Sequence, residues 1–268
     1  MHLTSNYLSR WYLIAVIARM NMTVKNLTQV SFDQILECFL RAFDNYFVPM
    51  PQNKTYYQER WKAAKVDFSL SYGMFDNEEL IGFIIHAVDT RNGKLTAYNT
   101  GTGVLPKHRR KGIVNKMYRY ALSNLMSNGV EISTLEVISE NHAAIKAYQG
   151  IGFNKRRKYL CFKGSIEKSK TEPFEIEQLE LDQVEWAHLP YQESYSWDNQ
   201  KESILGGQFS FYQVMKDKER ESFFIINSEN GYLTQFDTMV PGTATWERLF
   251  SAIWTISNTI RINNRCAL

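Results

Sequence analysis

Gly103-Val104-Leu105-Pro106-Lys107-His108-Arg109-Arg110-Lys111-Gly112-Ile113-Val114 is the stretch that decides the fold of this chain. It reads as a strand running into a basic, glycine-containing turn that opens a helix. The first turn of a helix leaves backbone N–H groups unpaired and carries the positive end of the macrodipole, so it attracts anions. Gly112 lets a phosphate approach the backbone closely, and Pro106 ends the strand because it cannot donate to a ladder. Beyond the turn, Ile113, Met117 and Ala121 recur at four-residue spacing, and Val114, Tyr118, Leu122 and Leu125 widen the same stripe. That pattern predicts an amphipathic helix packed on a sheet and running to about Ser127, where Asn128-Gly129 makes a stop. A basic run such as Lys107 to Lys111 is ordinarily a solvated loop, but its place between strand and helix favours anion binding.

Such a cradle suits nucleotides, dinucleotides or coenzyme A, and neither the P-loop pattern G-x-x-x-x-G-K-[ST] nor the Rossmann pattern G-x-G-x-x-G is present. The second block is Leu135-Glu136-Val137-Ile138-Ser139-Glu140-Asn141-His142-Ala143-Ala144-Ile145-Lys146-Ala147-Tyr148-Gln149-Gly150-Ile151-Gly152-Phe153. It reads as a buried strand, an asparagine, a short helix ending in a tyrosine, and a Gly-Phe turn.

Together the blocks resemble the GNAT acetyltransferase superfamily, through Val104-x-Pro106-x-x-Arg109-x-x-Gly112-x-Val114 and Asn141-x-x-Ala144-Ile145-x-x-Tyr148-x-x-x-Gly152-Phe153. Val114 departs from the pattern, which has Gly or Ala there. A valine narrows the approach to the pyrophosphate while still supplying its amide. The resemblance implies an α/β fold with a mixed sheet and acetyl-CoA as co-substrate. It implies that Gly103, Val104 and Leu105 pair with the pantetheine arm, and that the amides of Arg109, Arg110, Lys111, Gly112, Ile113 and Val114 hold the pyrophosphate. Asn141 would sit where the strands splay. Tyr148 would protonate the departing thiolate after a neutral amine attacks the thioester carbonyl, with a strand N–H holding the oxyanion.

The general base is open. The strand Leu95 to Thr102 holds no carboxylate. Glu136, on the following strand, is the nearest candidate, and a water relay through Asn99 or Thr102 is the other route. By the resemblance, Asp44, Tyr46, Phe47 and Pro49 border the acceptor pocket, and Asn99 is a further substrate-binding candidate. A non-catalytic acyl-CoA-binding or regulatory module is the reading from another class, favoured by Val114 and the missing carboxylate. A nucleotide switch would need a Walker lysine and a metal carboxylate, and neither is found.

The 268 residues suit one large or two modest domains. A net charge of +3 gives no indication of a nucleic-acid surface. Cys38, Cys161 and Cys266 are odd in number and far apart, which predicts reduced thiols in a cytoplasm rather than a disulfide framework. His86, His108, His142 and His188 lack ligand spacing, so no metal is expected. Trp11 to Ala18 is apolar over less than half of the roughly 20 residues that span a bilayer. A signal peptide there is conceivable, with Arg10 ahead of the core, but no membrane association is expected. Residues 1–21 are read as an extension, with Met20 or Met22 as alternative starts.

Thr23 to Leu27 predicts a first strand, and Ser31 caps a helix with Phe32, Ile35, Leu36, Phe39, Leu40 and Phe43 on its apolar face. A second helix is expected near Tyr56 to Lys65. Strands follow from about Ser69 to Phe75, Leu80 to Val88 and Leu95 to Val104. The sequence Asn92-Gly93-Lys94-Leu95-Thr96-Ala97-Tyr98-Asn99-Thr100 returns as Asn230-Gly231-Tyr232-Leu233-Thr234-Gln235-Phe236-Asp237-Thr238, about 138 residues on. Each copy is followed by a proline, Pro106 or Pro241, and then by a helical stripe. This implies a tandem duplication whose second copy carries Gly242-Thr243-Ala244-Thr245 in place of the basic turn and ends before any counterpart of Tyr148. The domains expected are 22–164, a linker at 165–173, and a partial, degenerate copy at 174–268. The competing reading is a coincidental hairpin match. The acceptor would be a small-molecule or peptide amine, and the oligomeric state is open.

Overall fold

The computed structural model describes residues 22–266, so the extension at 1–21 lies outside the described residues. The chain divides into two compact units: one runs to Lys54 and resumes at Val66–Phe153, and the other takes Thr55–Lys65 and everything from Asn154 on. Division by packing thus differs from the domains read along the chain.

In the first unit, β1 (Met22–Asn26), β2 (Tyr72–Asp76), β3 (Glu79–Arg91), β4 (Lys94–Val104) and β5 (Ile132–Leu135) form one sheet in that order. The first four are antiparallel in sequence, and β5 runs parallel to β4. A parallel neighbour requires a crossover, supplied here by α3 (Ile113–Ser127). It ends where the sequence predicts, with the Asn128 amide bonding back to Asn124 O at 3.1 Å. Met117, Tyr118, Ala121 and Leu125 are its buried face, as the stripe requires. The strand expected at Leu135 to Ile138 is displaced: β5 closes at Leu135 and is half exposed, because it is the sheet's edge. Glu136 therefore stands one residue past the strand.

Helix α1 (Phe32–Ala42) starts in a complete capping box, Ser31 Oγ accepting from Gln34 N and Gln34 Oε1 accepting from Ser31 N, each at 3.2 Å. It lies hard against β4. A Cβ on Gly101 would stand 2.9 Å from the Phe39 ring, and one on Gly103 would stand 2.6 Å from the Phe83 ring and 2.8 Å from Ala42 Cβ. No larger residue fits beneath the helix at either place.

The second unit contains α2 (Lys54–Ala63) from Thr55 on, shifted slightly from its expected span, with Tyr57 and Trp61 buried. Its sheet comprises β6 (Tyr159–Ser165), β7 (Glu175–Leu179), β8 (Ser210–Lys216), β9 (Glu219–Asn227), β10 (Tyr232–Thr238) and β11 (Thr259–Cys266), in the order β6-β11-β10-β9-β8-β7. Strands β7 to β10 are antiparallel neighbours, and α6 (Thr243–Ile256), which follows the short α5 (Lys201–Ile204), crosses over to the parallel β11. This is the succession of β1 to β5. Strand β6 adds antiparallel to β11, although sequence order would assign it to the first half. Leu249, Ala252 and Ile253 of α6 close the core on Val214, Phe224, Ile226 and Leu233.

Where β10 and β11 part, beyond Tyr232↔Arg261, a buried asparagine spans them. Asn199 Nδ2 donates to Asn263 O at 2.7 Å, while its Oδ1 accepts from Tyr232 Oη at 2.6 Å and Thr234 Oγ1 at 2.9 Å. The Asn199 carbonyl accepts from Gln235 Nε2 at 2.7 Å.

Candidate active site

Strand β4 pairs with β5 only from Thr96↔Ile132 to Asn99↔Leu135. On its other side it pairs with β3 as far as Gly82↔Val104, with an irregularity that makes Thr100 an extra residue between His86↔Asn99 and Ile85↔Gly101. Such a bulge turns a strand away from its neighbour. From Thr100 to Val104 the β5-facing edge is therefore open, offering backbone donors and acceptors to an extended ligand.

At the far end of that edge the basic turn begins with a 3-10 turn over Pro106–His108. Arg110 and Gly112 take positive φ, 63° and 70°, the alternation that points successive amides into one concavity. Gly112 is the N-cap of α3, and no side chain caps the helix there, whereas Ser31 caps α1 and Asn141 caps α4 (His142–Ile151). The first bond into the helix runs from Lys116 N to Gly112 O at 3.1 Å, so the Ile113 and Val114 amides precede any helical partner.

Arg109 corrects the expected cradle. Its amide donates to Pro106 O at 3.3 Å, and its guanidinium reaches inward, Nε to Val104 O at 3.1 Å and Nη2 to Ala42 O at 2.8 Å. It is a strut joining the turn to the end of β4 and to α1. The amides on offer start at Arg110.

Near the bulge, the buried Asn99 and Tyr118 and the half-buried Thr102 and Tyr148 form a polar cluster. Asn99 Oδ1 accepts from Gly101 N at 2.9 Å, and its Nδ2 donates to Thr102 Oγ1 at 2.7 Å and to Tyr118 Oη. Thr102 and Asn99 lie beside both phenols, of which Tyr118 takes the hydrogen bond from Asn99. Burial pushes both phenols above their ordinary range, so both stay protonated and able to donate. The rings of Tyr118, Tyr148 and Phe153 pack edge to face with centroids 5.6–5.9 Å apart. The Gly-Phe turn brings Phe153 there, its amide donating to Tyr148 O at 3.0 Å.

Asn141 accepts from Ala144 N at 3.1 Å and donates from Nδ2 to Tyr46 Oη at 3.4 Å. Tyr46 belongs to a groove of about 750 Å³ that Asp44 and Pro49 also line, together with Phe43, Val48, Met50, Leu105, Arg41 and Lys107. Phe47 instead stands 56% exposed against the Tyr46 ring. Asn99 lies in the polar cluster rather than in that groove. Glu136 is half-buried where β4 and β5 separate. Tyr118 reads in the sequence only as one apolar stripe position. The signal that distinguishes it is a hydroxyl on a core-facing helix position opposite Asn99 and Thr102.

Among the described residues, no three His, Cys, Asp or Glu side chains gather as metal ligands. Cys38 is buried and its thiol is pushed up to about 12, which makes it inert.

A profile of the Acetyltransferase (GNAT) family matches residues 32–153. These residues form a GNAT-family domain. The curated relative N-alpha-acetyltransferase 30 of Schizosaccharomyces pombe is 22% identical over 142 residues, covering 53% of this chain and 84% of that protein. Among solved structures, a probable N-acyltransferase from Enterococcus faecalis matches with TM-score 0.59 and 12% identity, over 91% of this chain and 65% of its own. This chain thus spans just under two thirds of that neighbour. The GCN5-related glucosamine N-acetyltransferase region of a fungal multi-domain GH3 β-N-acetylglucosaminidase matches with TM-score 0.67 and 10% identity, over 94% of this chain and 36% of that one. At these identities the structural likeness concerns the fold, and it extends past the GNAT domain into the second unit.

Proposed function

We propose that this protein is an acetyl-CoA-dependent N-acetyltransferase whose first unit catalyses transfer to a primary amine. The observation that carries this reading is one continuous path. The open edge of β4 from Thr100 to Val104 leads at one end to the uncapped amides of Arg110 to Val114, and at the other to the half-buried Tyr148, whose phenol stays protonated. An extended chain with a phosphate at one end and a thioester at the other fits such a path; acetyl-CoA supplies an acetyl group on a thiol leaving group. The main-chain groups of Gly103, Val104 and Leu105 would align the arm, and Lys111 and Arg110 would add charge at the phosphates.

The acceptor nitrogen adds to the thioester carbonyl carbon and the carbon–sulfur bond breaks. Tyr148 donates its proton to the departing sulfur, and the nitrogen loses a proton to Glu136 or to water held by Asn99 and Thr102. The groove beside Tyr46 would admit the acceptor, with Asp44 and Pro49 on its walls and Phe47 at its rim. A relative named for N-alpha acetylation favours a peptide amine, and a groove walled by both apolar and charged side chains suits a small-molecule amine equally. We place the protein in the cytoplasm on its separated cysteines; among the described residues no helix is long and apolar enough to cross a membrane.

The second unit we read as a degenerate duplicate. Its strand succession repeats that of the first, yet Gly242 to Thr245 lacks the basic turn and Asn199 fills the place where its strands part. The alternative to catalysis, an acyl-CoA-binding module, rests on Val114 and on the lack of a carboxylate along β4. Release of free thiol from acetyl-CoA across a panel of amines and peptides separates the two. Amine-dependent release that collapses in Tyr148→Phe supports the transferase, whereas retained binding without release supports the module.

A further inference from the structure

The 3-10 turn Trp197–Asn199 of the second unit makes contacts in two directions. Its last residue, Asn199, fills the parting of β10 and β11. Its first two residues hold the end of α2. Trp197 Nε1 donates to Ala64 O at 3.0 Å, so an indole satisfies a carbonyl that the helix end leaves without an intrahelical partner. Arg60 Nη2 donates to Asp198 Oδ2 at 2.7 Å, a charge-assisted bond between two partly buried side chains. Ser203 Oγ donates to Trp197 O at 2.7 Å and steadies the turn from α5. Just beyond, a Cβ on Gly206 would stand 3.2 Å from Ala63 Cα, so the main chain there lies directly against the last turn of α2.

Between β7 and β8 the chain forms 3-10 turns and the four-residue α5, where the matching interval from β1 to β2 runs through α1 and α2. The second unit thus holds a helix that the succession of strands assigns to the first. At its other end α2 begins at Lys54, directly after the 43–53 loop. Lys54 pairs with Asp33, but both side chains are exposed, and a surface pair contributes little. The opposite end of the loop is firmer, because the Arg109 guanidinium holds Ala42 O. The Lys54 end therefore depends on whatever fixes the helix.

We propose that Trp197 and Asp198 are positioning residues for the acceptor: they fix α2, and through the covalent link at Lys54 they set the loop that lines the groove. The inference rests on the groove beside Tyr46 being the acceptor's. It gives the second unit a task in the reaction without a ligand of its own, since the turn that fills its strand parting is the turn that grips the helix.

The test is steady-state kinetics on the full chain with acetyl-CoA and whichever amine gives thiol release. The variants are Asp198→Arg, Arg60→Asp, the double exchange, and Trp197→Phe, which keeps a ring and removes the donor. Each single variant should raise KM for the acceptor about five-fold or more, while KM for acetyl-CoA moves by less than about two-fold. The double exchange restores opposite charges and should return the acceptor KM to within about three-fold of the parent. Loss of folded enzyme alone lowers apparent kcat and leaves both KM values in place, so the split separates positioning from stability. An unchanged acceptor KM in the single variants, equal rises in both KM values, or a double exchange in which the two single losses multiply overturns the proposal and leaves the transferase reading intact. If the charge reversals fail to fold, Asp198→Asn and Trp197→Phe decide by the same split. A Tyr46→Ala variant of unchanged acceptor KM overturns the groove assignment and this proposal with it. Absence of thiol release from the parent with every amine overturns the transferase reading as well.

Discussion

Asn141 Nδ2 donates to Tyr46 Oη at 3.4 Å, joining the N-cap of the helix that carries Tyr148 to the loop that lines the acceptor groove. The same side chain caps α4 through its oxygen. Asn141→Ala removes both bonds and should cost about 1 kcal/mol of stability in urea unfolding. Asn141→Asp keeps the cap and loses the donor to Tyr46. It should hold stability near the parent value while raising KM for the acceptor, which steady-state kinetics would detect.

Arg109 and Arg110 are adjacent and should fail differently. Arg109→Ala removes a strut with two bonds to main-chain oxygens, so the acetyl-CoA Kd should rise several-fold with the salt dependence unchanged. Arg109→Lys should not restore it, because one ammonium cannot reproduce two fixed donor directions. Arg110→Ala removes an exposed charge, so its weaker binding should come with a shallower salt dependence in titrations from about 0.05 to 0.5 M salt.

His86 makes stability depend on pH. Its Nδ1 donates to Leu70 O at 2.7 Å, and burial lowers its pKa from 6.5 to about 4. Between those values the unfolded chain binds a proton that the folded chain refuses, so stability falls as pH drops through that window and is intact above it. The loss should be on the order of 3 kcal/mol by pH 4. Urea unfolding of His86→Gln, which keeps a donor and removes the titration, should show a flatter slope over the same range.

Tyr148 should place no alkaline limit on kcat below about pH 10, since burial raises its pKa above the ordinary phenol value. A pH–rate profile with a limb between 8 and 9 that disappears in Tyr148→Phe would contradict this. In the second unit, Asn199 and Gln235 occupy the parting of β10 and β11, so calorimetric titration should find one acetyl-CoA per chain.

Much of this architecture was legible along the chain, for identifiable reasons. The α3 stripe, its stop at Asn128 and the Ser31 cap are local patterns with a single physical solution, and they stand where the sequence puts them. The end of β5 was not legible, because Glu136 and Val137 satisfy a strand pattern and only the divergence from β4 ends the pairing at Leu135. The membership of β6 depends on β11, almost a hundred residues later, and no local pattern encodes that. Arg109 was misread for the same reason: its partner Ala42 O is remote in sequence, and a basic residue in a basic turn gives no sign of facing inward.

The contact of α1 with Gly101 and Gly103 bears on how such an enzyme can diversify. A larger side chain at either glycine would lift the helix, and the helix leads directly into the 43–53 loop, so change on the donor strand spreads to both substrates at once. Variation inside the loop meets no such barrier, because Phe47 and Val48 face outward and are not wedged beneath anything. New acceptor preferences therefore have an inexpensive route through residues 44–50, while the acyl donor is held to one strand that has no room to be redrawn.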